Sequence, residues 1–83
     1  MNAATASRLN ALKDLGKGWD SYGADPISHE AIERAHKLLE AMTAAPLIFP
    51  TVDGGIELMW GDEMVTLTIH DDRCELYVEG LEE

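Results

Sequence analysis

The chain contains few of the residues that mark several large protein classes. Among its 83 residues there is one cysteine, and there are only six lysines and arginines. A single cysteine excludes an internal disulfide framework and any zinc site built from several thiolates. No apolar run approaches the ~20 residues that cross a bilayer. The stretch MNAATASRLNALKDL lacks a basic segment followed by an apolar one, so we expect no signal peptide and a cytoplasmic location.

The length and the hydrophobic content together indicate one folded domain. A chain of 83 residues is shorter than the ~100–200 residues of an average domain, so residues 1–83 are expected to form a single domain with a thin core. Hydrophobic residues make up 46% of the chain, and the high net charge therefore does not predict disorder.

The charge is strongly negative and unevenly distributed. The formal net charge is −10, and residues 41–83 hold ten acidic residues against one basic residue, Arg73. Such a half-chain repels the phosphates of nucleic acid and anionic membranes, and it attracts basic surfaces. We therefore expect neither direct nucleic-acid binding nor membrane binding, and a basic protein as the partner.

Two helices are predicted in the N-terminal half. Leu9, Leu12 and Leu15 recur at a spacing of three, and Thr5 or Ser7 is expected to cap the helix that carries them.

The second predicted helix has the stronger pattern. Ser28 is the expected N-cap. Ile32, Ala35 and Leu39 then form an apolar stripe that ends before Pro46.

From residue 47 the hydrophobic period changes to two. Short alternating segments cover 47–52, 56–60, 65–69 and 74–78, and turn-forming residues separate them. Pro50 restricts the first segment to the edge of a sheet. The predicted fold is α+β, with two N-terminal helices followed by a three- or four-stranded antiparallel meander and a helix packed on one face of the sheet.

Alternation also divides the strand residues between two faces. Cys74 lies on the apolar face and is therefore expected to be buried and inert. The opposite face is expected to carry a row of carboxylates ringed by acidic turns, which would either imitate a polyanion or simply promote solubility. The predicted partner-binding residues of this face and its turns are Glu57, Glu75, Glu79, Asp62, Glu63, Asp71, Asp72 and Tyr77.

The segment from Trp19 to Pro26 combines two aromatic residues with turn formers. One interpretation is a packed connector in which Trp19 and Tyr22 close one end of the core. The other is an exposed recognition loop in which the same two side chains anchor a partner.

The sequence predicts no enzymatic chemistry. His70 precedes Asp71, but adjacent strand residues point apart and the sequence places no nucleophile near them, so a surface turn is favoured over a general base. The acidic pairs lack the ordered spacing of a calcium loop. We expect no catalytic residue, no metal and no cofactor.

Two segments carry a resemblance to a family of small bacterial and phage-borne proteins. The family has a W-D-[GS]-Y-G-A-x-P-I motif before a helix and a P-T-x-D-G-G-[IV]-x-L-x-W motif after it. The matching segments here are WDSYGADPIS at 19–28 and PTVDGGIELMW at 50–60. The resemblance spans nearly the whole chain, and it implies no activity and no catalytic residue.

Size and charge also resemble those of anti-CRISPR proteins, which are small, often acidic proteins that block a nucleic-acid-binding effector. Together with the charge asymmetry, this favours a non-enzymatic inhibitor that occupies the basic surface of a nucleic-acid-binding protein or complex, such as a CRISPR effector. The alternative is an antitoxin, an immunity protein or another interaction module that works through Trp19 and Tyr22. Either protein could be a monomer or a homodimer.

Overall fold

A computed structural model describes residues 2–42, 45–61 and 64–78 of the chain. In the described residues two helices precede four strands. The elements are α1 (Ala3–Lys13), α2 (His29–Glu40), β1 (Leu47–Pro50), β2 (Ile56–Trp60), β3 (Val65–Ile69) and β4 (Cys74–Val78). This confirms an α+β chain with its helices first. In the described residues, neither helix is long and apolar enough to span a membrane.

Helix α1 begins earlier than its leucine spacing predicts. The side chain of Asn2 accepts a hydrogen bond of 2.8 Å from the Thr5 amide, so Asn2 is the N-cap. The predicted cap at Thr5 or Ser7 is wrong, because both residues lie inside the helix and Thr5 is buried there. Leu9 and Leu12 are buried as predicted.

Helix α2 follows the prediction from its sequence closely. The Ser28 hydroxyl accepts a hydrogen bond of 3.0 Å from the Ala31 amide, which confirms Ser28 as the N-cap. The predicted stripe of Ile32, Ala35 and Leu39 is buried. Ala31 and Ala35 are fully buried. Their small side chains allow α2 to pack closely against the elements that it contacts.

The four strands form one antiparallel sheet in sequence order, as a meander does. Ile48, Leu58, Leu67 and Leu76 face one another across the four strands and share one face of the sheet. Helix α1 contacts β1, and α2 contacts β2 and β3. One hydrophobic cluster combines buried residues of both helices with residues of β1, β2 and β3.

On the face that packs against the helices, burial is high on β1 and β2 and low on β4. Along the row just described, Ile48 is 4% exposed, Leu58 is 0% exposed and Leu76 is 67% exposed. Cys74 is also exposed, although its neighbour across the ladder, Ile69, is fully buried. The prediction that Cys74 is buried is therefore wrong: it lies on the predicted face, but that face is not covered at β4.

Candidate functional site

The two sequence motifs are hydrogen-bonded to each other. The Asp25 amide donates to the Val52 carbonyl over 2.9 Å, and the Ser28 amide donates to the Gly54 carbonyl over 2.8 Å. A Cβ added at Gly54 would lie 3.0 Å from the Pro26 carbonyl oxygen, which explains why a glycine occupies this position. Residues 19–28, called the connector from here on, are thus docked on the turn between β1 and β2.

Inside the connector, Asp20 organises the backbone. Its Oδ1 accepts hydrogen bonds from the Tyr22 amide at 2.8 Å and from the Ala24 amide at 3.0 Å. The bond from the Tyr22 amide, supported by that from Ala24, holds the pKa of Asp20 below its ordinary value. Ser21 and Gly23 both have positive φ angles, 69° and 85°, and these let the chain reverse within a few residues.

The two aromatic residues of the connector have different environments. Trp19 is partly buried, and its Nε1 donates to the Asp25 carbonyl over 2.8 Å. Tyr22 is 91% exposed. The packed-connector interpretation therefore fails for Tyr22, whereas Trp19 helps to hold the connector in shape. Tyr22 therefore presents a large side chain to solvent, and the hydrogen bonds from its own amide and from the Ala24 amide to Asp20 hold its backbone in place.

Acidic side chains converge at the end of the sheet where the connector meets the β1–β2 and β3–β4 turns. This region, called the turn end, surrounds a polar depression of about 340 Å³. The acidic residues that line it are Asp25, Asp53, Asp71 and Asp72. Two of them have a basic neighbour, since Lys17 Nζ lies 2.8 Å from Asp25 and Arg73 lies 3.0 Å from Asp72.

His70 links two carboxylates at the turn end. Its side chain is 12% exposed, its Nε2 lies 2.9 Å from Glu75 Oε1, and its Nδ1 lies 3.8 Å from Asp53 Oδ2. The sequence interpretation of His70 as part of a plain surface turn missed this arrangement. In the alternating pattern of the sequence His70 and Glu75 fall on the same face, which is the available signal for a contact between them. The partner carboxylates come from the turn between β1 and β2 and from β4, and not from the adjacent Asp71.

Asp53 has a local partner as well. The Thr51 hydroxyl donates to Asp53 Oδ1 and also accepts from the Gly55 amide at 2.8 Å. The Thr51 hydrogen bond is the main reason that the pKa of Asp53 is lowered; partial burial opposes it, and the nearby His70 adds a smaller lowering effect. The carboxylate is therefore stabilised in its ionised form.

The lowered pKa of Asp53 predicts an acid-dependent loss of stability. A folded-state pKa below the unfolded value of 3.8 adds stability that is present above that pH and is lost as the pH falls toward the folded pKa. The side chain is 61% exposed, so the contribution is expected to stay below ~1 kcal/mol. Urea unfolding of the Asp53→Asn variant should show a shallower loss of stability below pH 5 than the wild-type protein. Identical slopes in the two proteins would contradict the assignment.

The open face of the sheet, opposite the residues packed against the helices, is less acidic than expected. Its two cross-strand rows are Phe49, Glu57, Thr68 and Glu75, and Leu47, Met59, Thr66 and Tyr77. Glu57 is partly buried, Tyr77 is 54% exposed and Leu47 is 58% exposed. Among the described positions this face therefore combines two carboxylates with apolar side chains, and it is not a continuous acidic array.

The predicted partner-binding residues thus fall into three groups. Asp71 and Asp72 lie at the turn end. Glu57, Glu75 and Tyr77 lie on the open face, where Glu75 borders the turn end through its contact with His70. Trp19 and Tyr22 lie in the connector. Asp62, Glu63 and Glu79 lie outside the described residues. The prediction from sequence placed Asp53 in an acidic turn but did not include Asp25, Asp53 or His70 among the partner-binding residues. Asp25 reaches the turn end because the connector docks there, whereas the register of the strands brings Asp53 and His70 together.

The described residues contain no group of three or more histidine, cysteine, aspartate or glutamate side chains arranged to hold a metal ion. Comparison with family models, curated proteins and solved structures gave no match to this chain.

Proposed function

We propose that this protein is a non-enzymatic inhibitor whose turn end binds a basic surface of a nucleic-acid-binding protein and excludes nucleic acid from it. The observation that carries the proposal is the convergence of Asp25, Asp53, Asp71 and Asp72 around one depression, beside Glu75. These side chains come from three separate chain segments. In a chain with a net charge of −10, they supply a local negative potential that would speed the capture of a basic partner.

The proposal moves the predicted surface from the open face to the turn end. In this arrangement the two turns and the connector face the partner, and the helices, which contact β1 to β3, lie away from it. Asp71 and Asp72 lie in the turn between β3 and β4. From this exposed position they could enter a groove of the partner that is lined with lysine and arginine. A CRISPR effector complex, whose DNA channel is basic, is one partner of this chemistry.

A charge-reversal experiment tests the proposal. The Asp71→Lys, Asp72→Lys, Glu75→Lys variant should weaken inhibition of DNA binding by more than about tenfold, because attraction becomes repulsion. The measurement is displacement of a labelled duplex from a purified CRISPR effector, followed by fluorescence anisotropy. The matched control is the Glu30→Lys, Glu33→Lys, Glu40→Lys variant, which changes the net charge equally on the exposed side of α2.

The two charge-reversal variants distinguish a defined turn-end site from a general effect of net charge. Inhibition that weakens with added salt, is lost in the turn-end variant and survives in the α2 variant supports the proposal. Equal loss in both variants would show that only net charge matters, and it would contradict a defined site. No displacement by the wild-type protein from any basic DNA-binding protein tested would contradict the function itself.

A second candidate function rests on Tyr22. An immunity protein, antitoxin or other interaction module could use this side chain as its anchor, because it is 91% exposed while Asp20 fixes the backbone around it. Exposed tyrosines on fixed loops contribute much of the binding energy at many interfaces. In that case Tyr22→Ala would reduce affinity by more than the turn-end charge reversal, and the Tyr22→Phe variant would retain most of it.

A further inference from the structure

Within the part of the chain that the structure describes, no hydrogen bond occupies the outer edge of β4, so its backbone groups are available for strand pairing. The His70 amide donates to the Arg73 carbonyl over 2.7 Å, which makes this pair a hydrogen-bonded one. Hydrogen-bonded and non-hydrogen-bonded pairs alternate along an antiparallel ladder. The backbone groups of Cys74, Leu76 and Val78 therefore point away from β3, toward the edge of the sheet.

The opposite edge of the sheet is partly blocked. By the same alternation, counted from the bond between the Thr51 amide and the Gly55 carbonyl, Ile48 and Pro50 direct their backbone groups outward from β1. The Ile48 carbonyl already accepts a hydrogen bond of 2.9 Å from Arg8 Nε, and Pro50 has no amide proton to donate. Proteins commonly block edge strands in this way, and among the described residues β4 shows no comparable block.

The side chains of β4 are exposed on both faces of the sheet. Leu76 is 67% exposed on the side that faces the helices at β1 to β3, and Tyr77 is 54% exposed on the open face. Cys74 is exposed beside Leu76. An added strand would therefore gain both backbone hydrogen bonds and apolar contacts.

We propose that β4 pairs antiparallel with β4 of a second copy of this chain, centred on Leu76. This register places Leu76 opposite its own copy and Cys74 opposite Val78. Every outward backbone group of β4 then finds a partner, because these three residues are the ones that point outward. Glu75 lies opposite Tyr77, so no like charges of β4 face each other directly.

The neighbouring registers are less favourable. Centring the pair on Glu75 sets two carboxylates directly opposite each other, which is destabilising. Centring it on Tyr77 moves Cys74 beyond the partner's Val78 and leaves its backbone groups without a β4 partner. Self-complementarity at Leu76 is what a two-fold symmetric interface requires, and it favours a second copy over an unrelated strand.

Dimer formation and partner binding are expected to respond to salt in opposite ways. Each copy has a net charge of −10, so added salt screens their repulsion and favours the dimer. Binding of a basic partner weakens under the same conditions. The dimer inference does not depend on the proposed function, and the two can fail separately.

Light scattering coupled to gel filtration tests the dimer. Across about 1 µM to 1 mM protein the wild-type mass should rise toward twice that of the monomer, at a lower concentration in high salt. Leu76→Lys should remain a monomer throughout, because it sets two cations opposite each other. The control is Leu47→Lys, which changes a similarly exposed leucine on β1, at the partly blocked edge, and should still form dimers. A wild-type monomer at all concentrations, or dimers in Leu76→Lys, would overturn the proposal.

Disulfide trapping tests the register. Residues 75 and 77 of opposite copies form a non-hydrogen-bonded pair with Cα atoms ~4.5 Å apart, within disulfide reach. In a Cys74→Ser background, a mixture of Glu75→Cys and Tyr77→Cys chains should form the mixed disulfide on mild oxidation, and neither chain alone should cross-link efficiently. Efficient self-cross-linking of either variant would overturn the Leu76-centred register. Circular dichroism confirms that each variant is folded.

Discussion

Replacing Gly55 by alanine is expected to destabilise the protein by about 3 kcal/mol, at the upper end of the cost of overpacking a tight site. A Cβ at this position would lie 2.6 Å from the Ile69 carbonyl oxygen and 2.9 Å from Thr51 Oγ1. The Ile69 carbonyl belongs to the backbone of β3, a central strand of the sheet. Neither this carbonyl nor the backbone at residue 55 can move away without disturbing the hydrogen bonds between β2 and β3. In a domain of this size the melting temperature should fall by more than about 10 °C.

The matched control for this change is Gly16→Ala. Nothing lies within 4 Å of a Cβ added at Gly16, and no positive φ is required there. Its alanine variant should unfold within about 0.5 kcal/mol of the wild-type protein. Urea unfolding of the three proteins decides the matter. Equal stability of the Gly55 and Gly16 variants would mean that the turn after β1 rearranges freely and does not hold the connector.

Leu58→Ala is expected to have a comparable effect through a cavity. Leu58 is 0% exposed in the middle of the row from Ile48 to Leu67, and its removal should lower the free energy of unfolding by about 3 kcal/mol. The control is Leu47→Ala, since Leu47 lies on the neighbouring strand but is 58% exposed. It should cost less than about 1 kcal/mol. Similar losses in both variants would show that the core is not centred on β2.

Much of the fold could be predicted because its periodicities are strong. Periodic spacing of apolar residues predicts both the stripe of α2 and the four strands. The cap at Ser28 is predicted by its residue type and by its position just before that stripe. The cap of α1 could not be chosen in the same way, because Asn2, Thr5 and Ser7 are all capable capping residues within six positions. Thr5 is buried inside the helix and therefore cannot be the cap, but its burial depends on tertiary packing, which the local sequence does not show.

The exposure of Cys74 has a similar explanation. Alternation tells which face of a sheet a residue occupies, but not whether anything covers it. A helix is ~10 Å wide and strands are ~4.8 Å apart, so each helix covers about two strands. Helix α1 contacts β1 while α2 contacts β2 and β3, and β4 lies beyond both. Coverage depends on helix placement, which no local pattern in β4 records.

The candidate site was the least predictable part. Net charge located the acidity in the second half of the chain, but the turn end also draws on Asp25 from the connector. The bonds from Asp25 to Val52 and from Ser28 to Gly54 join segments about 26 residues apart, and spacing alone does not predict them. Alternation puts His70 on the same face as Glu75, but only the register of the strands shows which carboxylates it meets.

The docking of the connector also has a consequence for synthesis on the ribosome. The amides of Asp25 and Ser28 have their acceptors in residues 52 and 54, which are translated later. The nascent chain can wind α2 and form the Asp20 bonds around Tyr22 as soon as that segment emerges, yet the connector cannot dock until the turn between β1 and β2 follows. A product truncated before residue 52 would therefore lack the acceptors that dock the connector on the turn between β1 and β2.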